Sequence, residues 1–155
     1  MSFYEWSESM SVGVDLIDSD HKALIDLINI LHGSISGERS IQSLQDVFDR
    51  LISYAEIHFA REEKVMQACG FPGLTPHQDE HAEFTERVYE IRAKLQAGDD
   101  TPISDELLVY LKRWLNAHIL IQDMAYKPYA SGNDRVADVA QSFGPGLFEQ
   151  RDDLK

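Results

Sequence analysis

Histidine and glutamate stand four residues apart in HFAREE, at His58 and Glu62, inside the apolar run LISYAEIHFAREEKVMQAC. Two histidines stand four apart in HQDEH, at His77 and His81. Residues at that spacing share one helix face, about one turn apart. His21 precedes Leu24 by three residues and His118 follows Leu115 by three, so each falls on an apolar stripe. Imidazole nitrogens and carboxylate oxygens are ligand atoms for transition metals. Left unpaired, a buried carboxylate costs on the order of several kcal/mol or takes up a proton instead. Taken singly, a core histidine reads as a hydrogen-bonded side chain, and a histidine–glutamate pair as a solvated edge. Taken together, five of the six histidines lie on four separate stripes, which points to one shared metal site that compensates their burial.

Asp123 is the seventh candidate, five residues after His118. On a regular helix that offset is about 140° of rotation, which turns it away from the histidine's face. A π-type widening, or a loosened helix end before Pro128, would bring it inward. His32 is the counter-example. It faces nearly the same way as His21 but lies about 16 Å further along the axis, so it is expected to be structural or on the surface.

Four helical patterns carry these residues. The first spans about 19–36, with Leu24, Ile28, Leu31 and Ile35 in register and Gly37 to end it. The second spans about 41–69, opens on Ser40 as N-cap, and stops at Gly70 and Pro72. The third is predicted to open with Thr75 as cap, Pro76 in the first turn and Gln78 completing a capping box. Its stripe is His77, His81, Phe84, Val88, Ile91 and Leu95, closed by Gly98. The fourth spans about 105–126, with Leu108, Leu111, Leu115, His118 and then Ile121 or Gln122 facing inward. No segment alternates like a strand, and the connections are short. The expected fold is all-α, an antiparallel up-down four-helix bundle. In that topology the starts of odd helices meet the later halves of even ones, which puts the six histidine and glutamate candidates at one level.

Residues 1–18 read as an N-terminal arm packed through Phe3, Tyr4 and Trp6. Residues 131–155 read as a polar tail, loosely docked or partly disordered, with FGPGLF as an alternative docking motif for a partner. The expected division is a domain over 1–130 followed by that tail. A net charge of −13 and a pI near 4.7 argue against nucleic acid and anionic membranes as partners, since both require clustered Lys and Arg. No apolar stretch approaches the roughly 20 residues of a membrane span. The N-terminus lacks the blocks of a signal peptide, and a single cysteine, Cys69, excludes an internal disulfide. A cytoplasmic setting is expected, with Cys69 as a core thiol.

The chain resembles the bacterial hemerythrins. The likeness rests on Trp6 in the arm, GVDLIDSDHKALIDLIN around His21, HFAREE, HQDEH, and WLNAHILIQD from Trp114 to Asp123, and it covers roughly residues 3–130. It implies a non-haem di-iron centre, hydroxo- or oxo-bridged, that binds oxygen reversibly for storage or delivery. One iron would take His77, His81 and His118 and the other His21 and His58, with Glu62 and Asp123 bridging. With the bridging hydroxide, this set leaves one coordination position open, on the iron with two histidines. It is also less anionic than the four-glutamate, two-histidine sites of ferritin-like bundles, which suits carrying oxygen better than oxidising a substrate. Leu24, Leu115 and Ile119, within a turn of His21 or His118, are the expected apolar wall of the oxygen pocket. Ile25 reads equally well as pocket wall or plain packing, and Trp114 reads as packing. Each ligand histidine is expected to donate its second ring nitrogen to an acceptor. The implied partners are dioxygen and an oxygen-consuming enzyme as recipient. The alternatives are a di-iron enzyme (peroxidase, ferroxidase or nitric-oxide-related) and an oxygen- or redox-sensing module.

Overall fold

Four helical stretches separated by helix-stopping residues can bury their stripes only against one another, and the computed structural model shows them doing so. It describes residues 2–35, 37 and 40–148; Ser36 and the end of the tail, 149–155, lie outside the described residues. Helix α1 is Asp15–Ile35, α2 Ile41–Ala68, α3 Leu74–Gln96 and α4 Asp105–Ala117. The fourth helix continues without a break through a π turn, His118–Asp123, into α5, Met124–Ala130. Helix α6, Asp134–Gln141, follows. In the bundle, α1 packs on α2 and α4, and α2 on α3, with α6 laid against α2. None of the described helices is long and apolar enough to cross a membrane.

Local chemistry explains most boundaries. Ser40 and Ser104 cap α2 and α4 through their hydroxyls, which accept from the N–H groups of Ser43 (3.2 Å) and Leu107 (3.3 Å). Gly70 and Gly98, at φ of 69° and 86°, close α2 and α3. Helix α1 starts four residues before the predicted Ser19. Asp18 in its first turn reaches back, accepting from the Val12 N–H at 2.9 Å and the Ser11 hydroxyl at 2.6 Å. The predicted capping box on α3 does not form. The helix begins at Leu74 with Gly73 as N-cap and no side-chain cap bond, so Thr75 and Gln78 already lie inside it. Pro128 likewise falls inside α5 rather than beyond the fourth helix, which runs on to Ala130.

The π turn rephases the fourth helix. Its extra residue advances the inward face by one position. Ile119 and Asp123 are fully buried, whereas Ile121, predicted on the core stripe, is 66% exposed.

The core has two apolar clusters with a polar layer between them. One contains Leu24, Leu51, Ala55, Phe59, Phe84, Leu115 and Ile119. The other contains Val12, Ile17, Val65, Met66, Tyr126 and Val136. Each of the four bundle helices passes from one cluster to the other through its histidines. Cys69 packs at the edge of the second cluster, where burial pushes its thiol up, away from the reactive thiolate.

The arm and the described part of the tail, 131–148, are both docked. Asn29 on α1 holds Tyr4 as a strand partner would. It accepts from the Tyr4 N–H and donates to its carbonyl, both at 2.8 Å. The Tyr4 hydroxyl donates to Asn116 at 3.2 Å. The tail, predicted to be loose, forms α6 and then runs back over α1, where the Leu147 N–H donates to Asp20 and the Phe148 N–H to Ser19, both at 3.1 Å. Leu147 is buried. The tail is anchored by hydrogen bonds to buried polar groups, which a hydrophobic reading of FGPGLF does not reveal.

Asn29→Ala leaves the Tyr4 backbone pair without partners. It is expected to cost about 1–3 kcal/mol in urea denaturation and to accelerate exchange of the Tyr4 amide. Unchanged values for both would show that side-chain packing alone holds the arm.

Candidate metal centre

All seven predicted residues meet. His21 comes from α1, His58 and Glu62 from α2, His77 and His81 from α3, and His118 and Asp123 from the two ends of the π turn. None is more than 3% exposed. Glu62 Oε1 lies 2.7 Å from His77 Nε2 and 3.0 Å from the Nε2 atoms of His81 and His118. Its other oxygen lies 3.2 Å from His58 Nε2 and 3.6 Å from His21 Nε2. Asp123 divides in the same way, Oδ1 towards His77 (3.2 Å) and His118 (3.3 Å) and Oδ2 towards His21 (2.9 Å). His21 Nε2 and His58 Nε2 are 3.1 Å apart. The ligand-type atoms form two overlapping groups, each compact enough to surround a cation.

The donor set fits metal better than it fits itself. Both Asp123 oxygens and His118 Nε2 are buried and have no well-aligned hydrogen bond among the described residues, although each stands within 3.3 Å of another polar atom of the cluster. Such orphaned buried groups are costly unless something they face jointly satisfies them. Two cations between the two histidine groups would satisfy them all.

Electrostatics within the metal-free chain show how protons stand in. Burial opposes ionisation of Glu62, but the imidazoles of His118 and His58 outweigh it and hold the carboxyl well below its usual range. Burial, with Glu62 beside it, pushes Asp123 well above the usual range. Burial drives the imidazolium of His118 down to about 3 and also lowers His21. It works against charge on His58 too, yet Glu62 and Asp20 raise that ring to about 9.

A surrounding layer holds the rings, and most of it escaped the sequence reading. His58 Nδ1 faces Asp20 Oδ2 at 3.2 Å, and His81 Nδ1 faces Glu63 Oε2 at 3.3 Å. The Tyr126 hydroxyl donates to Glu62 Oε2 at 3.2 Å. Phe59 stacks on His81 with ring centroids 4.0 Å apart, and Trp114 on His118 at 4.8 Å. The expectation of an acceptor for every second ring nitrogen fails at His21 and His118, whose Nδ1 atoms have none. The signals available in the sequence were weak: Asp20 adjoins His21, and Tyr126 follows Asp123 by three. His32 stays outside the cluster, exposed and stacked on Phe3 at 4.6 Å.

Leu24 and Leu115 line a small apolar cavity of about 10 Å³ with Phe59, Phe84 and Trp114. Ile119 is fully buried beside His118 but does not line it.

A four-helix bundle with five histidines and two carboxylates sharing one buried centre defines a class of dinuclear non-haem metal proteins. The comparisons narrow that class. The profile for the "Hemerythrin HHE cation binding domain" matches residues 12–130. A bacteriohemerythrin from Stenotrophomonas maltophilia is 39% identical over 127 residues, 81% of this chain and 80% of that protein. One from Pseudomonas aeruginosa is 35% identical over 126 residues, at the same coverage of each. The myohemerythrin of Theromyzon tessulatum is 28% identical over 80% of this chain and 91% of its own. A crystal structure of wild-type hemerythrin superposes with a TM-score of 0.79 at 26% identity, over 84% of this chain and all of that one. The chain belongs to the hemerythrin family, and its centre is of the family's non-haem di-iron, oxygen-binding kind.

Loading this centre with a divalent metal at neutral pH must expel protons, because His58 is protonated up to about pH 9 in the metal-free chain and Asp123 also retains its proton unusually well. Calorimetric titrations with Co²⁺ in buffers of different ionisation enthalpy should show release of about one proton or more per chain. A buffer-independent heat would mean the cluster is already deprotonated.

Proposed function

We propose that His77, His81 and His118 hold one iron and His21 and His58 the other, that Glu62 and Asp123 bridge them, and that the protein binds dioxygen reversibly for storage or for delivery to an oxygen-consuming enzyme. One observation carries the assignment. Glu62 and Asp123 each divide their two oxygens between the same two groups of histidines. When bound, a ferrous pair supplies the electrons that dioxygen takes up on binding and returns on release.

The remaining work falls to the protein. Tyr126 donates to Glu62 and fixes the carboxylate plane. Phe59 and Trp114, stacked on His81 and His118, limit ring rotation on the three-histidine side. Leu24, Leu115 and Ile119, all buried in the first apolar cluster, keep the neighbourhood apolar. A cavity of about 10 Å³ is close to the space one water-sized molecule needs, and with walls of this kind it stays dry. Two of its walls, Phe59 and Trp114, are the rings stacked on His81 and His118, so the apolar space ends against the histidine layer and would limit water's access to it.

The proposal is a carrier rather than an enzyme. Once the seven residues are committed to metal, no histidine or carboxylate of the cluster remains to act as a general acid or base. The domain proper is proposed to span 1–130 and the tail 131–155. A cytoplasmic setting suits a chain whose one cysteine is a free thiol.

Purified protein is expected to hold about two irons per chain and to gain a visible absorption band with oxygen that bleaches on deoxygenation through repeated cycles. Glu62→Gln should lower the iron content below that value. Conversion to a permanently coloured or ferric form in the first cycle, or sustained catalytic consumption of oxygen, would refute the carrier reading.

A further inference from the structure

The tail reaches the metal centre through one buried cation. Arg61 is fully buried, three residues after His58 on α2. Its Nε donates to Asp20 Oδ2 at 2.8 Å. Its terminal nitrogens donate to three tail carbonyls: Ala140 at 2.6 Å, Gly144 at 2.9 Å and Pro145 at 3.0 Å. Asp20 is thereby spent on three donors, with Arg61 and His58 Nδ1 on Oδ2 and the Leu147 N–H on Oδ1 at 3.1 Å. Asp20 is itself 0% exposed.

We propose that residues 140–147 of the tail are a positioning element for the metal ligand His58, acting through Arg61 and Asp20. This rests on the reading of His58 as a ligand of the two-histidine iron. A carboxylate that accepts from the Nδ1–H of a ligating histidine fixes its tautomer and ring plane, so that Nε2 presents its lone pair to the metal. Asp20 can do this only while its own orientation is fixed. Two of its three partners, the Leu147 N–H and the tail-anchored Arg61 guanidinium, depend on the tail. Among the described residues no hydrogen bond links the tail to the three-histidine side: His81 uses Glu63, and His118 is held by the face of Trp114. Residues 140–147 also lie outside the stretch 12–130 matched by the family profile, so the support is built by a segment beyond the shared domain.

The proposal predicts selective weakening of one metal position. In stepwise titration of the metal-free full-length chain with Co²⁺, Leu147→Pro removes the N–H donor to Asp20 and should weaken the looser of two binding steps about tenfold. Leu147→Ala, which trims the side chain and keeps the N–H, should leave that step near its original affinity. Arg61→Met, of similar volume, should weaken the same step by up to about a hundredfold. If Arg61→Met does not fold, the two Leu147 variants still decide the question. Equal weakening of both steps, or identical behaviour of Leu147→Pro and Leu147→Ala, would show that the tail gives only general stability and would overturn the proposal. His58→Ala in the same titration separates the two readings. Loss of one step upholds His58 as a ligand, whereas two unchanged steps would remove both the ligand assignment and the proposal built on it.

Discussion

The structure depends on keeping a carboxylate, Glu62, with no exposure to solvent, surrounded by five imidazoles and a second carboxylate. Such a group must be compensated in every state the chain visits. With metal present, cations compensate it. Without metal, protons do so: His58 keeps its charge, Asp123 holds its proton, and His118 stays neutral. Metal binding to these seven side chains would therefore exchange cations for protons. That requires the seven residues to be at one level on four helices, which constrains the rest of the fold.

The two apolar clusters enforce that level. On α1 the chain runs from Ile17 through His21 to Leu24, and on α2 from Phe59 through Glu62 to Val65. On α3 it runs from Leu74 through His77 and His81 to Phe84. Sliding any helix by one turn, about 5.4 Å, would set an imidazole against leucines and a leucine against Glu62. Apolar packing alone tolerates such slips more readily. The polar layer therefore acts as a register key as well as a site, and the aromatic faces of Phe59 and Trp114 extend it into the first cluster.

What could be read from the sequence follows the range of each signal. His58 with Glu62 and His77 with His81 were legible because a regular helix maps four residues onto one face, and α2 and α3 are regular there. Asp123 was ambiguous because the π turn that aims it is set by tertiary fit, and the family resemblance carried it where helix geometry could not. Ile121 was misplaced for the same reason. The capping box failed because α3 begins one residue ahead of its predicted cap, a boundary that Gly73 and the preceding turn decide. The tail, expected to be loosely docked or partly disordered, is held more closely over 131–148 than that reading implies. Its docking depends on carbonyl oxygens, which every residue possesses, meeting an arginine that in sequence looks like any surface charge on a helix.

Both halves of the centre hold a ring through a carboxylate, His58 by Asp20 and His81 by Glu63, but the two carboxylates differ in their surroundings. On the three-histidine side, Phe59 and Trp114 lie nearly parallel to His81 and His118, at interplanar angles of 10° and 11°. Stacking restrains a ring's orientation, and an aromatic face also favours positive charge on the ring it covers. On the two-histidine side, His58 is held by a carboxylate whose other partners are a guanidinium and a backbone N–H. A hydrogen bond to a carboxylate strengthens as the ring it holds becomes more positive, so a metal held by His58 would feel the charge of Asp20 through that ring. Asp20, buried and itself held by Arg61 and the Leu147 N–H, is thus a more closely fixed acceptor than Glu63, whose side chain is 28% exposed.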